Sequence, residues 1–424
     1  MPIYALPYGH ATAHLHLPET VHADWIEPVF VPAAPDPLGV VRAALEQPVD
    51  GLLLDRFQGV RSVVIAINDK TRPVPHEHLL PPLLDKLHSL GIPAVAIAFL
   101  IATGTHLPMP AEEFPRILPP EIYQRYAVYS HDCDDARNLV DTGITARGTR
   151  VLGNRRLVEA DLRIVVGNIE PHHFAGFSGG YKTAAIGLVA RSTITHNHAM
   201  LADPGAEIAV FESNPLRQDI EEIGGLLNVQ FALNAVLNSE KAIVRAVSGS
   251  PHTVMQAGIP ISREICQVPV RGGRYDVVIA SAGGAPKDIN FYQAQKALTH
   301  AAQLVRDGGV IVLAAECPEA SGSQSYEAFM QGIQSPQEVF DRFREQGFRV
   351  GPHKAFQVAR LASRAGIILV SGGISPDLTR RLLMTPASTL DEAFALACSV
   401  LPPTPDGPRV AILPHATNTV PVAS

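Results

Sequence analysis

The sequence contains few cysteines, and their spacing excludes two classes of protein. The four cysteines, Cys133, Cys266, Cys317 and Cys398, lie far apart, and none belongs to a Cys-x-x-Cys pair. Disulfide frameworks and zinc ribbons both need cysteines at short, regular spacings. We therefore expect neither, and the cysteine content is typical of a protein from a reducing compartment.

Signals for export, membrane insertion and nucleic-acid binding are absent as well. The first residues lack a basic stretch followed by an apolar run, so no signal peptide is predicted. No apolar stretch reaches the roughly 18 residues of a transmembrane helix. The net charge of −7 argues against a general nucleic-acid binder, which is usually basic. We expect a cytoplasmic protein without membrane or nucleic-acid partners, in which a local cationic pocket can still bind a small anion.

The residues that are abundant predict a globular protein with many loops. Apolar residues make up 46% of the 424 residues and charged residues 18%, so the chain can form hydrophobic cores. At roughly 100–200 residues per domain, this length predicts two or three domains. The sequence has 36 prolines and 33 glycines, which favour loops, and 17 histidines, which can supply acid–base or metal-binding groups.

Short β-branched runs alternate with helical patterns along most of the chain. In the first half, strands are predicted at 61–67, 94–101, 162–166 and 229–237, and helices at 77–90 and 214–227. In the second half, strands are predicted at 276–280, 310–315, 366–370 and 409–413, and helices at 290–307, 336–345, 353–364 and 389–400. This alternation predicts an α/β protein with two domains, each built on a mainly parallel sheet flanked by helices.

The segment QVPVRGGR at 267–274 is typical of a linker and separates the two sets of elements. We therefore predict an N-terminal domain at 1–266 and a C-terminal domain at 275–405. The segment 406–424 contains one further predicted strand, which can join either domain.

Three unusual loops directly follow predicted strands of the first domain. They are DKTRPVP at 69–75, TGTH at 103–106 and the glycine-rich segment 167–182. Ligands of open α/β sheets bind beyond the carboxyl ends of the strands, so these loops are candidates for a binding site. Arg72 can bind a carboxylate or phosphate or form a surface ion pair, whereas His106 and His172 can act as acid or base or be ordinary loop histidines.

The segment Gly176–Thr183 resembles a phosphate-binding loop but is not a Walker A sequence, because Tyr181 replaces the glycine before Lys182. The backbone amides of Ser178, Gly179 and Gly180 can bind a phosphate at a helix start, and Lys182 can act as a nucleophile. A plain glycine turn with a solvated lysine is the alternative.

His196 and His198 form a His-x-His pair without the further ligands that zinc requires, so they either contribute to a metal held mostly by another group or bind none. Gln293 and Lys296 are three residues apart and share a helix face, where Lys296 points either to the cleft between the domains or to water.

Taken together, these segments resemble the nickel-dependent lactate racemase family. The order of the motifs fits over about residues 60–320. The matching segments are DKTRPVP (69–75), ATGTH (102–106), GNIEPHHFAGFSGGYKTAAIG (167–187), ITHNH (194–198) and PKDINFYQAQKAL (286–298).

The resemblance implies an active site in the cleft between the domains and a nickel-pincer nucleotide as cofactor. This cofactor is a pyridinium-3-thioamide-5-thiocarboxylic acid mononucleotide that holds Ni(II) through two sulfurs and a carbon. It would be attached covalently to Lys182, contacted by Ser178, Gly179 and Gly180, and completed by His198 as the nickel ligand. The acid/base residues would be His106 and His172. Residues at the family's substrate-binding positions are Arg72, Asp69, Tyr292, Gln293 and Lys296.

The implied reaction inverts C2 of a 2-hydroxy acid, with lactate or another short aliphatic acid as the first candidate. The C2–H bond is barely acidic, whereas removal of the hydroxyl proton lets the hydrogen leave as hydride. The planar 2-keto acid can then take hydride back on either face, so two bases are needed. Two departures from the family pattern, His173 beside His172 and a single tryptophan at Trp25, leave malate, aromatic and sugar acids open as alternatives.

Three other functions remain open at this point. They are a phosphate-loop nucleotide enzyme, a zinc hydrolase using His172, His196 and His198, and a protein that stores the nickel cofactor. For the racemase, the expected partners are a small 2-hydroxy acid and, transiently, the proteins that assemble the cofactor.

Overall fold

The computed structural model describes residues 2–347, 349, 351–403 and 407–423, and these form two compact units. The central unit spans Phe30–Ile265, and the terminal unit combines Met1–Val29 with Cys266–Ser424. Each unit contains one large, mainly parallel sheet with helices, which confirms the predicted α/β class. No helix in the described part of the chain combines the length and hydrophobicity of a membrane span.

The central unit is built on a six-stranded sheet. In spatial order its strands are Ile243–Gly249, Phe231–Leu237, Leu162–Asn168, Val63–Asn68, Ile97–Ala102 and Ala127–Ser130. All neighbours are parallel except the first pair, which is antiparallel. The strand Val63–Asn68 lies at the centre and is buried on both faces, as its continuous apolar sequence VVIAI requires.

Helices and small hairpins complete the central unit. The α-helices are Pro37–Glu46, His76–Ser89, Pro120–Tyr123, Arg155–Glu159, Lys182–Ala185, Arg191–Ala199, Pro215–Leu226 and Pro251–Cys266. The short 3-10 helices are Leu54–Phe57, Ala94–Ala96, Ala111–Arg116, Ala136–Asn138 and Met200–Ala202. Two hairpins pair Leu139–Ile144 with Arg150–Asn154, and Pro171–His172 with Gly176–Phe177. Ile65, Phe99 and Leu83 belong to the hydrophobic core, in which strand and helix side chains meet.

The terminal unit has its own six-stranded sheet, which is parallel throughout. Its strands in spatial order are Thr385–Ala387, Gly366–Val370, Val305–Ala314, Tyr275–Ser281, Val410–Leu413 and Ala23–Trp25. Two-stranded pairs form between Ile3–Tyr8 and Ala11–His16, and between Gln267–Val270 and Val420–Ala423. The helices are Phe291–Ala294, Lys296–Ala301, Gln324–Met330, Pro336–Gln346, Pro352–Ala362, Pro376–Arg381, Leu390–Val400 and the 3-10 turn Ala416–Asn418.

The division of the chain differs from the boundaries predicted at 1–266, 275–405 and 406–424. The first 29 residues belong to the terminal unit, because Ala23–Trp25 adds a parallel strand beside Val410–Leu413. Val410–Leu413 itself pairs with Tyr275–Ser281, so the final segment joins the same unit. Residues 404–406 and Ser424 lie outside the described residues. The predicted linker is partly a strand, since Gln267–Val270 pairs with Val420–Ala423.

The predicted long helix at 290–307 is wrong. The segment forms two short helices, Phe291–Ala294 and Lys296–Ala301, and from Val305 onward it is a strand. Val305 pairs with Tyr275 and is fully buried. Packing of this β-branched residue in the sheet overrides the local helical pattern.

Candidate active site

Loops at the carboxyl ends of three neighbouring strands line one cavity in the central unit. The strands are Leu162–Asn168, Val63–Asn68 and Ile97–Ala102, which are adjacent in the sheet. The cavity contains about 540 Å³ of space, part of it open to solvent. Six of the predicted site residues line it, namely Arg72, His106, Ser178, Gly179, Lys182 and His198.

Asp69 holds the imidazole of His106. The Asp69 side chain is 2% exposed, and its Oδ2 accepts a hydrogen bond from Nδ1 of His106 at 2.6 Å. Its other oxygen accepts bonds from the amide and hydroxyl of Thr71, which fix the carboxylate at the strand end. With Nδ1 as the donor to Asp69, Nε2 is the nitrogen of His106 that can take up a proton. Asp69, predicted to bind substrate, therefore orients a histidine in this structure.

Arg72 adds a positive charge to the same loop. Its Nη1 lies 3.8 Å from Oδ1 of Asp69, and the side chain is about one-third exposed at the cavity. Burial acts to raise the pKa of Asp69, but the hydrogen bond from His106 and the charge of Arg72 outweigh it and hold this pKa below its ordinary value. Asp69 is thus an anion between two groups that are cationic or can become so.

The Thr-Gly-Thr-His turn places His106 at the cavity. Gly104 has a φ of +59° and donates its amide to the carbonyl of Gly187. A positive φ of this kind is strained for residues with a side chain, so glycine is favoured here. Thr103 is buried and donates its hydroxyl to the carbonyl of His131, which anchors the turn.

His172 lies in an aromatic cluster and is not one of the residues lining the cavity. Its ring stacks on His173 at 4.6 Å between centres and meets the edge of Phe174 at 4.7 Å. Nδ1 of His172 accepts the amide hydrogen of Ala175, so the neutral ring carries its proton on Nε2. Phe174 also contacts the ring of His198 at 5.2 Å, which connects the hairpin of His172 to the wall of the cavity.

The glycine turn before Lys182 is held tightly by the protein itself. Gly179 and Gly180 have φ values of +95° and +55°, and an added Cβ would meet Met255 at both positions. The amide of Ser178 donates to the carbonyl of Glu170, and the amide of Gly180 donates to Oδ1 of Asn234. The amides of Ser178 and Gly180, which the sequence predicts to bind a phosphate, both bond to the protein in this structure.

A buried arginine supports this turn and was not anticipated from the sequence. Arg217 is fully buried and donates to the carbonyls of Phe177 and Gly179 at 2.9 and 3.2 Å. Glu221, one helical turn later, accepts two bonds from the same guanidinium. An arginine beside a glutamate four residues on is an ordinary surface pattern, so only the fold reveals this role.

Lys182 and His198 both line the cavity. Lys182 begins the short helix Lys182–Ala185 and is 6% exposed. His198 lies in the helix Arg191–Ala199, and Oδ1 of Asn197 lies 3.0 Å from its Nδ1. If Nδ1 donates this bond, the lone pair of the neutral ring is on Nε2.

His196 does not join His198 in a metal site. It is exposed, and its Nε2 bonds to the carbonyl of Arg147. Within the described ranges, Asp132, Cys133 and Asp134 form the only group of three potential ligands close enough to share an ion, and no histidine belongs to it. The zinc-hydrolase ligand set of His172, His196 and His198 is thus not assembled.

The remaining predicted residues, Tyr292, Gln293 and Lys296, belong to the terminal unit. Asn290 caps the helix that begins at Phe291, and Nζ of Lys296 donates to Oε1 of Gln293 at 2.6 Å. The bond brings Gln293 and Lys296 together as predicted, although they lie in separate short helices and share no helix face. All three side chains are half-buried.

Comparison with known proteins identifies the family. The "Lactate racemase N-terminal domain" matches residues 8–209, and the "Lactate racemase C-terminal domain" matches residues 270–419. The chain belongs to the lactate racemase family. It is thereby an enzyme of the isomerase class, which sets aside the nucleotide-enzyme, zinc-hydrolase and cofactor-storage alternatives.

Individual members of the lactate racemase family cover most of the chain. The lactate racemase of Thermoanaerobacterium thermosaccharolyticum is 32% identical over 368 residues, 85% of this chain and 86% of that protein. The Lactiplantibacillus plantarum lactate racemase is 31% identical over 363 residues, 84% of this chain and 85% of that protein.

Solved structures agree with the fold. The lactate racemase apoprotein from T. thermosaccharolyticum has a TM-score of 0.91 and 29% identity, covering 99% of this chain and 100% of that one. A crystal structure of a Thermotoga maritima protein has a TM-score of 0.67 at 16% identity and covers 93% of this chain and 100% of that one, which shows the fold alone.

Proposed function

We propose that this protein inverts C2 of a 2-hydroxy acid, with lactate or another short aliphatic acid as the first candidate substrate. The observation that carries the proposal is the joint presence of Arg72, His106, Lys182 and His198 around one cavity. The relatives named lactate racemase support the same reaction. Arg72 would bind the carboxylate, since a guanidinium matches its two oxygens.

A nickel-pincer nucleotide fits the residues present. Lys182 offers a shielded amine for covalent attachment, and Ser178 and Gly179 line the same cavity. His198 is a single imidazole outside any group of three protein ligands within the described residues, which suits a metal held mostly by its cofactor. When bound, this nucleotide supplies a reversible acceptor for the C2 hydride.

The proton chemistry belongs to the two histidines. His106 takes the substrate hydroxyl proton at Nε2, and the carboxylate of Asp69 stabilises the imidazolium that results. His172 would serve the opposite enantiomer, because a proton must be removed and returned on both faces of the planar 2-keto acid. Tyr292, Gln293 and Lys296 would add substrate contacts from the terminal unit.

Intact-protein mass and nickel analysis test the proposal. The protein would be co-expressed in the cytoplasm with the proteins that assemble the cofactor, which we expect it to contact transiently. We expect a mass increase of the cofactor's size localised to Lys182, about one nickel per chain, and interconversion of D- and L-lactate or another short 2-hydroxy acid. An unmodified chain without nickel, under conditions that load a known lactate racemase, would contradict the proposal.

The proposed role of His198 as the nickel ligand has a separate test. His198→Ala should lower the nickel content while the adduct at Lys182 remains, because the imidazole is the only protein ligand proposed. His196→Ala is the matched control, since His196 lies in the same helix and bonds to a backbone carbonyl. Equal nickel content in both variants would remove His198 from the site.

A further inference from the structure

The helix Pro215–Leu226 supports the backbone that leads into Lys182. It packs against the short helix Lys182–Ala185. Arg217, in its first turn, bonds to the glycine turn before Lys182, and Gly224, in its last turn, lies against Tyr181. Neither Arg217 nor Gly224 takes part in the chemistry proposed above.

Arg217 is connected to Lys182 through a shared carbonyl group. The carbonyl oxygen of Gly179 accepts the backbone amide of Lys182 at 3.3 Å and Nη2 of Arg217 at 3.2 Å. Nη1 of Arg217 donates to the carbonyl of Phe177 at 2.9 Å, so one guanidinium holds two carbonyls of the same turn. Because the guanidinium is planar and rigid, it fixes these two oxygens relative to each other.

A carboxylate compensates the buried charge of Arg217. The guanidinium is fully buried, and Oε1 of Glu221 accepts bonds from its Nε and Nη2 at 2.9 and 2.6 Å. Burial acts to raise the pKa of Glu221, but the charge of Arg217 and the hydrogen bond with His252 outweigh it and hold this pKa below its ordinary value. The ion pair thus keeps Arg217 charged inside the protein, where its other bonds go to the turn.

Gly224 allows the helix to approach Tyr181 closely. A Cβ added at Gly224 would lie 2.1 Å from Cδ1 and 2.4 Å from Cβ of Tyr181, whereas a Cβ added at Gly225 would meet nothing within 4 Å. The carbonyl of Tyr181 accepts two amides of the short helix Lys182–Ala185. A side chain at Gly224 would therefore displace the residue directly before Lys182.

We propose that Arg217 is a positioning residue that, together with the close packing at Gly224, fixes the side chain of Lys182 at the cavity. The inference rests on the proposed function, in which Lys182 carries the cofactor. Misplacement of a reacting group by about 1 Å can slow a reaction about 10²-fold. Loosening this turn should therefore impair attachment of the cofactor even where the fold persists.

Two variants of the buried ion pair separate positioning from folding. Arg217→Lys keeps a cation beside Glu221, but its single nitrogen cannot span both carbonyls and the carboxylate as the guanidinium does. Glu221→Gln keeps an acceptor for the guanidinium but leaves its charge unpaired, which should lower the melting temperature more. After co-expression with the cofactor-assembly proteins, we expect the Lys182 adduct to fall to about a tenth of its wild-type fraction in Arg217→Lys and to persist in folded Glu221→Gln.

Intact-protein mass and thermal unfolding of the same preparations measure this difference. An adduct in Arg217→Lys at the wild-type fraction would overturn the proposal. A loss of adduct that follows the melting temperature in both variants would assign Arg217 to the fold alone.

A pair of glycine variants makes the test independent of the buried charge. Gly224→Ala displaces Tyr181, whereas Gly225→Ala adds the same methyl group in open space on the same helix. We expect a lower adduct fraction in Gly224→Ala and the wild-type fraction in Gly225→Ala. Equal fractions in the two variants would contradict the role of this helix.

The apoprotein distinguishes failure of this inference from failure of the proposed function. If the wild-type chain takes up no cofactor, the rate at which acetic anhydride acetylates Lys182 still reports on the turn, with the surface lysine Lys86 as internal reference. Lys182 is 6% exposed, so loosening of the turn in Arg217→Lys should speed its acetylation at least about fivefold while Lys86 is unchanged. Equal rates at Lys182 in wild type and Arg217→Lys would contradict the inference with or without the cofactor.

Discussion

The central and terminal units place their cationic groups in opposite electrostatic settings. In the central unit, the buried carboxylate of Asp69 bonds to His106 and lies beside Arg72. In the terminal unit, the buried amine of Lys354 lies near a second lysine, Lys296. The first arrangement is stabilised by its own opposite charges, so its histidine is oriented in advance. In the second, burial and the like charge of Lys296 hold the pKa of Lys354 well below its ordinary value.

The largest expected effect comes from the buried lysine of the central unit, Lys182. Lys182→Ala should abolish both the covalent adduct and all racemisation, because no other amine is proposed to attach the cofactor. Intact mass and a lactate racemisation assay measure this. Lys86→Ala, which removes a lysine paired with Asp55 at the surface, is the control and should load normally. An adduct of unchanged mass in Lys182→Ala would refute the assignment.

The next largest effect on racemisation is expected from the two proposed acid/base histidines, His106 and His172. His106→Ala and His172→Ala should each lower racemisation by about 10²- to 10⁴-fold, the usual contribution of a general base, while nickel content stays at the wild-type level. His78→Ala serves as the control, because this partly exposed imidazole pairs with Glu77 and does not line the cavity. Full activity in either active-site variant would exclude the two-base scheme, and loss of nickel would indicate a role in binding the cofactor.

A smaller effect tests the orienting role of Asp69. Asp69→Asn keeps the size of the side chain but not its charge, and should lower kcat about tenfold to a hundredfold, less than removal of the imidazole. KM should change little if Asp69 acts through His106 and should rise if Asp69 binds substrate directly. Steady-state kinetics with the loaded enzyme decide between these roles.

Asp69→Asn also tests how the stability of the protein depends on pH. Because the folded-state pKa of Asp69 is lowered, its stabilising contribution is complete above the unfolded-state pKa and is lost as pH falls through the folded-state value. The difference in free energy of unfolding between wild type and Asp69→Asn should therefore shrink as the pH is lowered. Urea unfolding at a series of pH values measures it, and a difference that grows on acidification would show that Asp69 is not held as an anion.

The sequence predicted the parts of the site that depend on local pattern. The loops at 69–75, 103–106 and 167–182 follow buried strands, and the strand-end rule places them at one edge of a sheet. The structure confirms that Arg72, His106 and Lys182 line one cavity there. His172, from the loop at 167–182, was predicted to join them, but its ring lies against Phe174 in the neighbouring aromatic cluster.

The parts that were missed depend on contacts between distant segments. Asp69 and His106 are 37 residues apart, and nothing in either loop reveals that their side chains bond. Arg217 meets the turn at Phe177 across 40 residues. Pairing of Ala23–Trp25 with Val410–Leu413 joins the two ends of the chain, a connection that no local periodicity encodes.

By itself the sequence determined the α/β class, the strand-end loops and the family, because alternating periodicity and short motifs are written along the chain. Only the tertiary structure decided which charges meet. It placed Asp69 behind His106, used the amides of Ser178 and Gly180 within the protein, and buried Lys354. A lysine in an amphipathic helix is ordinarily solvated, whereas Lys354 is buried and contacts the ring of Tyr292, which is remote in sequence. Side-chain burial and charge pairing are properties of the packed chain, since they arise from segments that are remote in sequence.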